Sequence, residues 1–346
     1  MSEQNLFEQQ RANRRRSAVL VAIFVGFFAW VGFGGDLAYY LFTVDAPPRA
    51  YHHTVPWIGL VATLLGLGMA WFAWSRGPKQ VLWATGAWQL LEPSKPEEQQ
   101  LVNVVEEMAI ASGLPRPKIW IVPDDDPNAF ATGIKATDAH VAVTEGLLTA
   151  LNRDELQAVI AHEMAHVRND DVKLMTLLAA LAGVIALMSD GALRMMRFGS
   201  FRGRGGGRSG GGGGGKKGGA AGLAVVVLVL WLITLILAPL ISRLLALGVS
   251  RKREFLADAT AAQFTRNPGA LAMALRKIED AAAPTKAIKQ GTAHLCIADP
   301  LGRKLNAKSG FLADAFATHP PMAVRIARLK AMAYQYDKTG VLPEAL

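Results

Sequence analysis

Two stretches of this 346-residue chain carry no charged side chain at all, Ser17–Gly35 and Val55–Trp74. Each is about the 20 residues a helix needs to cross roughly 30 Å of hydrocarbon. Both therefore read as transmembrane helices. A further run, Gly218–Ser242, is uncharged and has Pro239 near its end. Leu174–Ser189 is shorter, bounded by Lys173 and Asp190. It is either a short span or a helix packed on the others and partly outside the bilayer. Ala179, Ala180, Ala182 and Gly183 suit it to close helix contact.

Charge then orients these segments. Arg11, Arg14, Arg15 and Arg16 precede the first run. That run is too long for a signal peptide and no small-residue cleavage site closes it, so it reads as a retained anchor. Its basic side belongs in the cytoplasm. A second crossing returns the chain there by about Arg76, which makes residues 76–171 cytoplasmic. The tract Arg194–Gly222 holds Arg194, Arg197, Arg202, Arg204, Arg208, Lys216 and Lys217 and no acid. If Leu174–Ser189 spans fully, this tract lies outside and breaks the positive-inside tendency. Either the flanking segments form a hairpin that does not cross, or the N-terminus and the 36–54 loop dominate orientation. Gly-rich composition makes the tract a flexible linker suited to anionic headgroups, not the binding surface of a nucleic acid. The net charge of +9 owes much to this tract and to the N-terminus, so it says little about a substrate. The single cysteine, Cys296, excludes an intrachain disulfide and suits a reducing compartment.

The chemistry is concentrated in His162-Glu163-Met164-Ala165-His166. Two histidines four apart lie on one helix face, where both imidazoles can bind one Zn²⁺. Glu163 points about 100° away from His162 and so serves as a general base beside a Lewis acid. Asn152 with Glu155 reads as a capping box, and Leu156, Val159, Ile160 and Val167 follow at helical spacing. Ionisable groups in so apolar a segment need a partner, and a metal would be one. No third histidine follows His166 closely, and Cys296 is distant in sequence. Glu254 and Asp258, four apart on a second helix running to about Phe264, are the best completion. Glu254 is assigned to the metal and Asp258 to the free N–H of a metal-bound histidine. The plainer alternative is an exposed helix whose acids offset Arg251, Lys252 and Arg253.

Around these motifs, Glu97–Gly113 reads as a helix stopped by Gly113. Lys118–Val122 reads as a strand, with Phe130–Gly133 and His140–Thr144 as further short strands. The fold class is therefore α+β, mainly α: a multi-pass membrane protein with a zincin-like metallopeptidase domain. Its parts are the tail and two spans (1–75), the His-helix half (76–171), two further apolar helices flanking the Gly-rich loop (172–248) and the Glu-helix half (249–346).

His162-Glu163-x-x-His166 joined to Glu254-x-x-x-Asp258 resembles the HtpX family of membrane-embedded zinc endopeptidases, relatives of the CAAX prenyl endopeptidases. Asn128-Ala129-Phe130-Ala131-Thr132-Gly133 and Thr318-His319-Pro320-Pro321 extend the match, which runs from about Ser17 to Leu329. The long Gly/Arg/Lys tract departs from the family's short connection. The resemblance implies one zinc per chain, location in a bacterial inner membrane with a cytoplasmic site, and misfolded or unassembled membrane proteins as substrates. It also implies that an edge strand receives the substrate backbone. His140-Val141-Ala142-Val143 is the candidate edge, with an internal strand as the equal alternative, and Asn128 and Ala129 lie in the matched segment beside it. His319 is the candidate second oxyanion donor, with Arg325 behind it and Pro320-Pro321 opening the helix Met322–Tyr336. The expected reaction is peptide hydrolysis, with Glu163 moving a proton from water to the leaving amine. A zinc-binding scaffold that does not cut, or a CAAX-type peptidase, are the alternatives. Oligomeric state is not legible.

Overall fold

The structure is a computed structural model and describes residues 3–43, 53–181, 251–281, 285–288, 295–298 and 320–342. The expected span 218–242, the end of the 174–189 segment, the Gly-rich tract and His319 lie outside the described residues. By compactness the described residues fall into two units, one within 1–18, 74–180 and 245–346, the other within 19–73 and 181–244.

Helix α1 (Glu3–Thr43) is one continuous helix of 41 residues, about 60 Å long at 1.5 Å per residue. It therefore outruns the apolar stretch that begins at Ser17. The residues before that stretch are good helix formers, so the anchor helix extends through the basic tail. Helix α2 (Trp57–Ala84) follows. Both are long and apolar enough to cross a membrane, and apolar side chains such as Trp30, Leu64 and Trp71 are exposed along them.

Within the unit holding 19–73, glycine lets the two helices meet closely. A Cβ on Gly32 would stand 2.7 Å from Ala62 Cβ, and one on Gly66 would stand 2.8 Å from Phe28 Cβ. Asp36 begins the return, accepting from the backbone N–H groups of Ile58 and Gly59 and lying 2.6 Å from His53 Nε2. That carboxylate caps the start of α2, where a helix has unpaired N–H groups.

The other unit is built on a four-stranded mixed sheet. Its strands are β1 (Trp88–Gln89), β2 (Lys118–Val122), β3 (Ala129–Thr132) and β4 (His140–Thr144), ordered β1-β2-β4-β3. β2 and β4 are parallel, and the other pairs are antiparallel. Helix α3 (Pro96–Ser112) precedes β2 and ends as expected on Gly113, whose φ of 69° is left-handed. Helices α4 (Glu145–Ala150), α5 (Arg153–Arg168), α6 (171–181), α7 (Arg251–Thr265), α8 (Pro268–Asp280) and α9 (Met322–Thr339) complete the unit. Side chains alternate across the sheet, as the two-residue strand period requires. Val141, Val143 and Ala129 join the main core with Leu101, Leu156 and Leu275, while Ala142, Phe130 and Val122 face Val81, Leu82 and Ala179.

One expectation is corrected here. His140–Thr144 is not an edge strand: β4 lies between β2 and β3, with Val141 and Ala142 fully buried. Its near-continuous apolar run is what a strand covered on both faces requires. The edge is β3. The outer side of β3 is met by the segment 295–298, through an antiparallel bridge between Phe130 and Cys296.

Candidate active site

The sequence of α5 fixes where its two histidines stand. Asn152 accepts from the Glu155 N–H while Glu155 accepts from the Asn152 N–H, the expected capping box. α5 then runs into the core between α3, α7, α8 and β3. One turn apart on it, the Nε2 atoms of His162 and His166 face each other at 3.2 Å with their rings perpendicular. From α7, the Glu254 carboxylate lies 3.7 Å from His162 Nε2 and 3.5 Å from His166 Nε2. Donors bonded at 2.0–2.1 Å to a tetrahedral ion stand about 3.4 Å apart, so the spacing of these three atoms fits such an ion. Two imine nitrogens and a carboxylate are also the donor set a borderline cation takes. Among the described residues, this is the cluster of ligand-type side chains able to hold a metal.

Each of these candidate ligands is held from behind. His162 Nδ1 stands 3.0 Å from Asp258 Oδ1, the partner expected of Asp258. Arg325 donates to both oxygens of Asp258, at 2.9 and 2.7 Å, and to the Ile297 carbonyl at 2.9 Å. Its guanidinium also lies 3.4 Å from Glu254 Oε2. A fully buried arginine is tolerable because carboxylates compensate it. His166 Nδ1 lies 3.2 Å from Asp171 Oδ2, just beyond the end of α5. The sequence reading missed this acid. A carboxylate five residues after the second histidine was nevertheless a signal, since metal-binding imidazoles direct their other nitrogen to such a group.

The electrostatics follow from burial and these partners. Burial disfavours the His162 cation and outweighs Asp258, so its pKa falls and the ring is neutral. Burial also opposes charge on His166, but Asp171 and Glu254 outweigh it and push the pKa up to about 9. With that pKa His166 is positively charged at neutral pH unless a metal is bound to it. Burial pushes the Glu163 carboxyl up to about 7, with Glu254 adding to the shift and the Ala131 N–H opposing it. A carboxyl poised near neutrality can both take and return a proton.

The cleft is lined by Ala131, His162, Glu163, His166 and Glu254, with Cys296 and Arg253 also on its wall. Cys296, remote in sequence, therefore borders the site without belonging to the donor cluster. Of the residues expected to touch substrate, Asn128 is buried and binds the backbone of Ala298 and Ala129. Ala129 is in the core. His140 accepts from Trp120 Nε1 inside the sheet, and burial drives its pKa down to about 4. Neither they nor Val141 and Ala142 line the cleft. The strand residue that does is Ala131 of β3.

Comparison with known proteins bears on the family. Residues 95–333 match the model of peptidase family M48. The "Protease HtpX homolog" of Thermoanaerobacter pseudethanolicus is 37% identical over 340 residues, covering 96% of this chain and 99% of that protein. The protein of the same name from Streptococcus gordonii is 38% identical over 327 residues, covering 94% and 100%. Among solved structures, S. mikatae Ste24p is similar with a TM-score of 0.43 and 19% identity, over 93% of this chain and 67% of that one.

Proposed function

The chain belongs to peptidase family M48 and is a metalloendopeptidase, and from that premise we propose that it cuts polypeptides at a zinc ion held by His162, His166 and Glu254. The convergence of those three donors beside a buried Glu163 is the observation that carries the proposal. Bound zinc supplies Lewis acidity, polarising the scissile carbonyl and acidifying water. Glu163 takes the proton from the attacking water and returns it to the departing amine. Asp258 and Asp171 keep the two imidazoles in the tautomer that presents Nε2 to the metal. Substrate backbone is received at the Ala131 end of β3, where that strand abuts Glu163 and beside the point at which 295–298 meets it. His319 is retained as the candidate donor to the developing oxyanion, with Arg325 acting instead through Asp258 and the Ile297 carbonyl.

Membrane anchorage and the side of the site form part of the same proposal. Gln10, Asn13 and Arg14, just before the first apolar run, bond to Arg168, Asn169, Asp171 and Asp170, which follow the His helix. Tail and site therefore share one side of the membrane, and the basic tail makes that side cytoplasmic. Multi-pass topology through 172–248, a bacterial inner-membrane location and misfolded or unassembled membrane proteins as substrates complete the reading. The test compares full-length wild type with Glu163→Gln, both loaded with zinc, on unfolded casein. Wild type should cleave and the variant should bind zinc without cleaving. Equal cleavage by both would remove Glu163 from the mechanism.

A further inference from the structure

The basic tail offers one face to the turn after the His helix. Gln10, Asn13, Arg14 and Ser17 recur at helical spacing, so they share one stripe of α1. Gln10 Nε2 donates to the Arg168 carbonyl at 2.8 Å and Arg14 Nε to Asp170 at 2.9 Å. Between them Asn13 is fully buried, and its Nδ2 donates twice: to the Asn169 carbonyl at 3.0 Å and to Asp171 Oδ1 at 2.7 Å. The other oxygen of Asp171 faces His166 Nδ1. The turn itself is held open by Asp170, whose φ of 57° is left-handed.

We propose that Asn13 is a positioning residue for the metal site: by fixing Asp171 it sets the ring orientation of His166. This rests on the zinc reading above. A carboxylate tethered at one oxygen only can swing about its Cβ–Cγ bond. Tethered at both, it holds the imidazole in one plane with Nε2 directed at Glu254 and His162. Arg253, with NH1 3.6 Å from Asp171 Oδ1, is too long a contact to do this alone. Asn suits the place because its amide gives two donors without adding a charge beside Asp171. The membrane anchor is then not a passive tether: one turn ahead of its apolar run, it supplies a part of the active site.

The experiment uses the full-length chain in detergent and measures zinc affinity by chelator competition, with the visible spectrum of the cobalt-substituted protein as a second readout. Asn13→Ala should weaken zinc binding about tenfold or more and alter the cobalt bands, as loss of such support does elsewhere. Asp171→Asn should do at least as much, and the double variant no more than Asp171→Asn, since both act on one contact. Gln10→Ala and Arg14→Ala loosen the same docking without touching Asp171, and should leave affinity within about twofold of wild type. The proposal is overturned if Asn13→Ala binds zinc like wild type with unchanged bands. It is equally overturned if its loss adds in full to that of Asp171→Asn, or if Gln10→Ala reproduces it. Failure of wild type itself to bind zinc would instead strike the zinc reading.

Discussion

Arg325→Met removes a guanidinium that lies against two buried carboxylates, and its cost can be worked from the contacts. Arg325 is completely buried, bonded to both oxygens of Asp258 and to the Ile297 carbonyl, and 3.4 Å from Glu254. Methionine keeps most of the volume, so little of the loss is cavity. What remains is Asp258 with only His162 beside it, stripped of its bidentate cation, and the Ile297 carbonyl without that donor. Breaking a buried pair from one side costs about 3–5 kcal/mol. For a folded unit of about 200 residues that amounts to a fall in Tm of roughly 6–20 °C. Tryptophan fluorescence of the metal-free, full-length protein during thermal unfolding would read it. Arg325→Lys should recover only part, because an ammonium cannot grip both oxygens of Asp258. In the double variant with Asp258→Asn, the losses should fall well short of their sum. A loss below about 1 kcal/mol, the range of exposed pairs, would refute the claim that this network holds the two halves of the site together.

Two further perturbations have definite signs. Glu163 holds its proton up to about 7 against an ordinary 4.5, and His166 up to about 9 against 6.5. Both groups bind more protons folded than unfolded, so metal-free stability should fall as pH rises, through 4.5–7 for Glu163 and 6.5–9 for His166. Denaturation midpoints at pH 6, 7.5 and 9 check this, and a midpoint that climbs with pH contradicts it. Because zinc requires a neutral His166, binding near pH 7.5 should release protons, seen calorimetrically as a dependence of heat on buffer. Separately, a Cβ at Gly146 would overlap the backbone carbonyl of Asp125, an atom that cannot swing away. Gly146→Ala should therefore cost about 1–3 kcal/mol by overpacking at the β4–α4 junction. An unchanged unfolding midpoint would show that this loop yields freely.

What the sequence displayed was whatever depends on near neighbours. The capping box at Asn152, the stop at Gly113 and the strand Lys118–Val122 are local and appear where expected. His162 with His166, and Glu254 with Asp258, are each four-residue spacings on single helices, so which groups face each other was legible too. Pairing across the chain was not. Nothing local distinguishes β3 from β4 as the edge, because both are short and wholly apolar inside. Asp171 could have been found by asking what the second histidine's other nitrogen touches. Asn13 could not: 158 residues separate it from Asp171, and only the fold closes that distance. Cys296 likewise reaches the cleft through a bridge to Phe130 that no sequence pattern announces.

The donor set is the central claim, and zinc-edge X-ray absorption of the purified full-length protein tests it most directly. Two histidines and Glu254 predict nitrogen and oxygen scatterers at about 2.0–2.2 Å with no sulfur. Glu254→Gln should lower zinc occupancy while leaving the imidazole signature in what remains. A sulfur shell near 2.3 Å would place Cys296 on the metal, and a spectrum unchanged by Glu254→Gln at full occupancy would take Glu254 off it. Either result would contradict the site described.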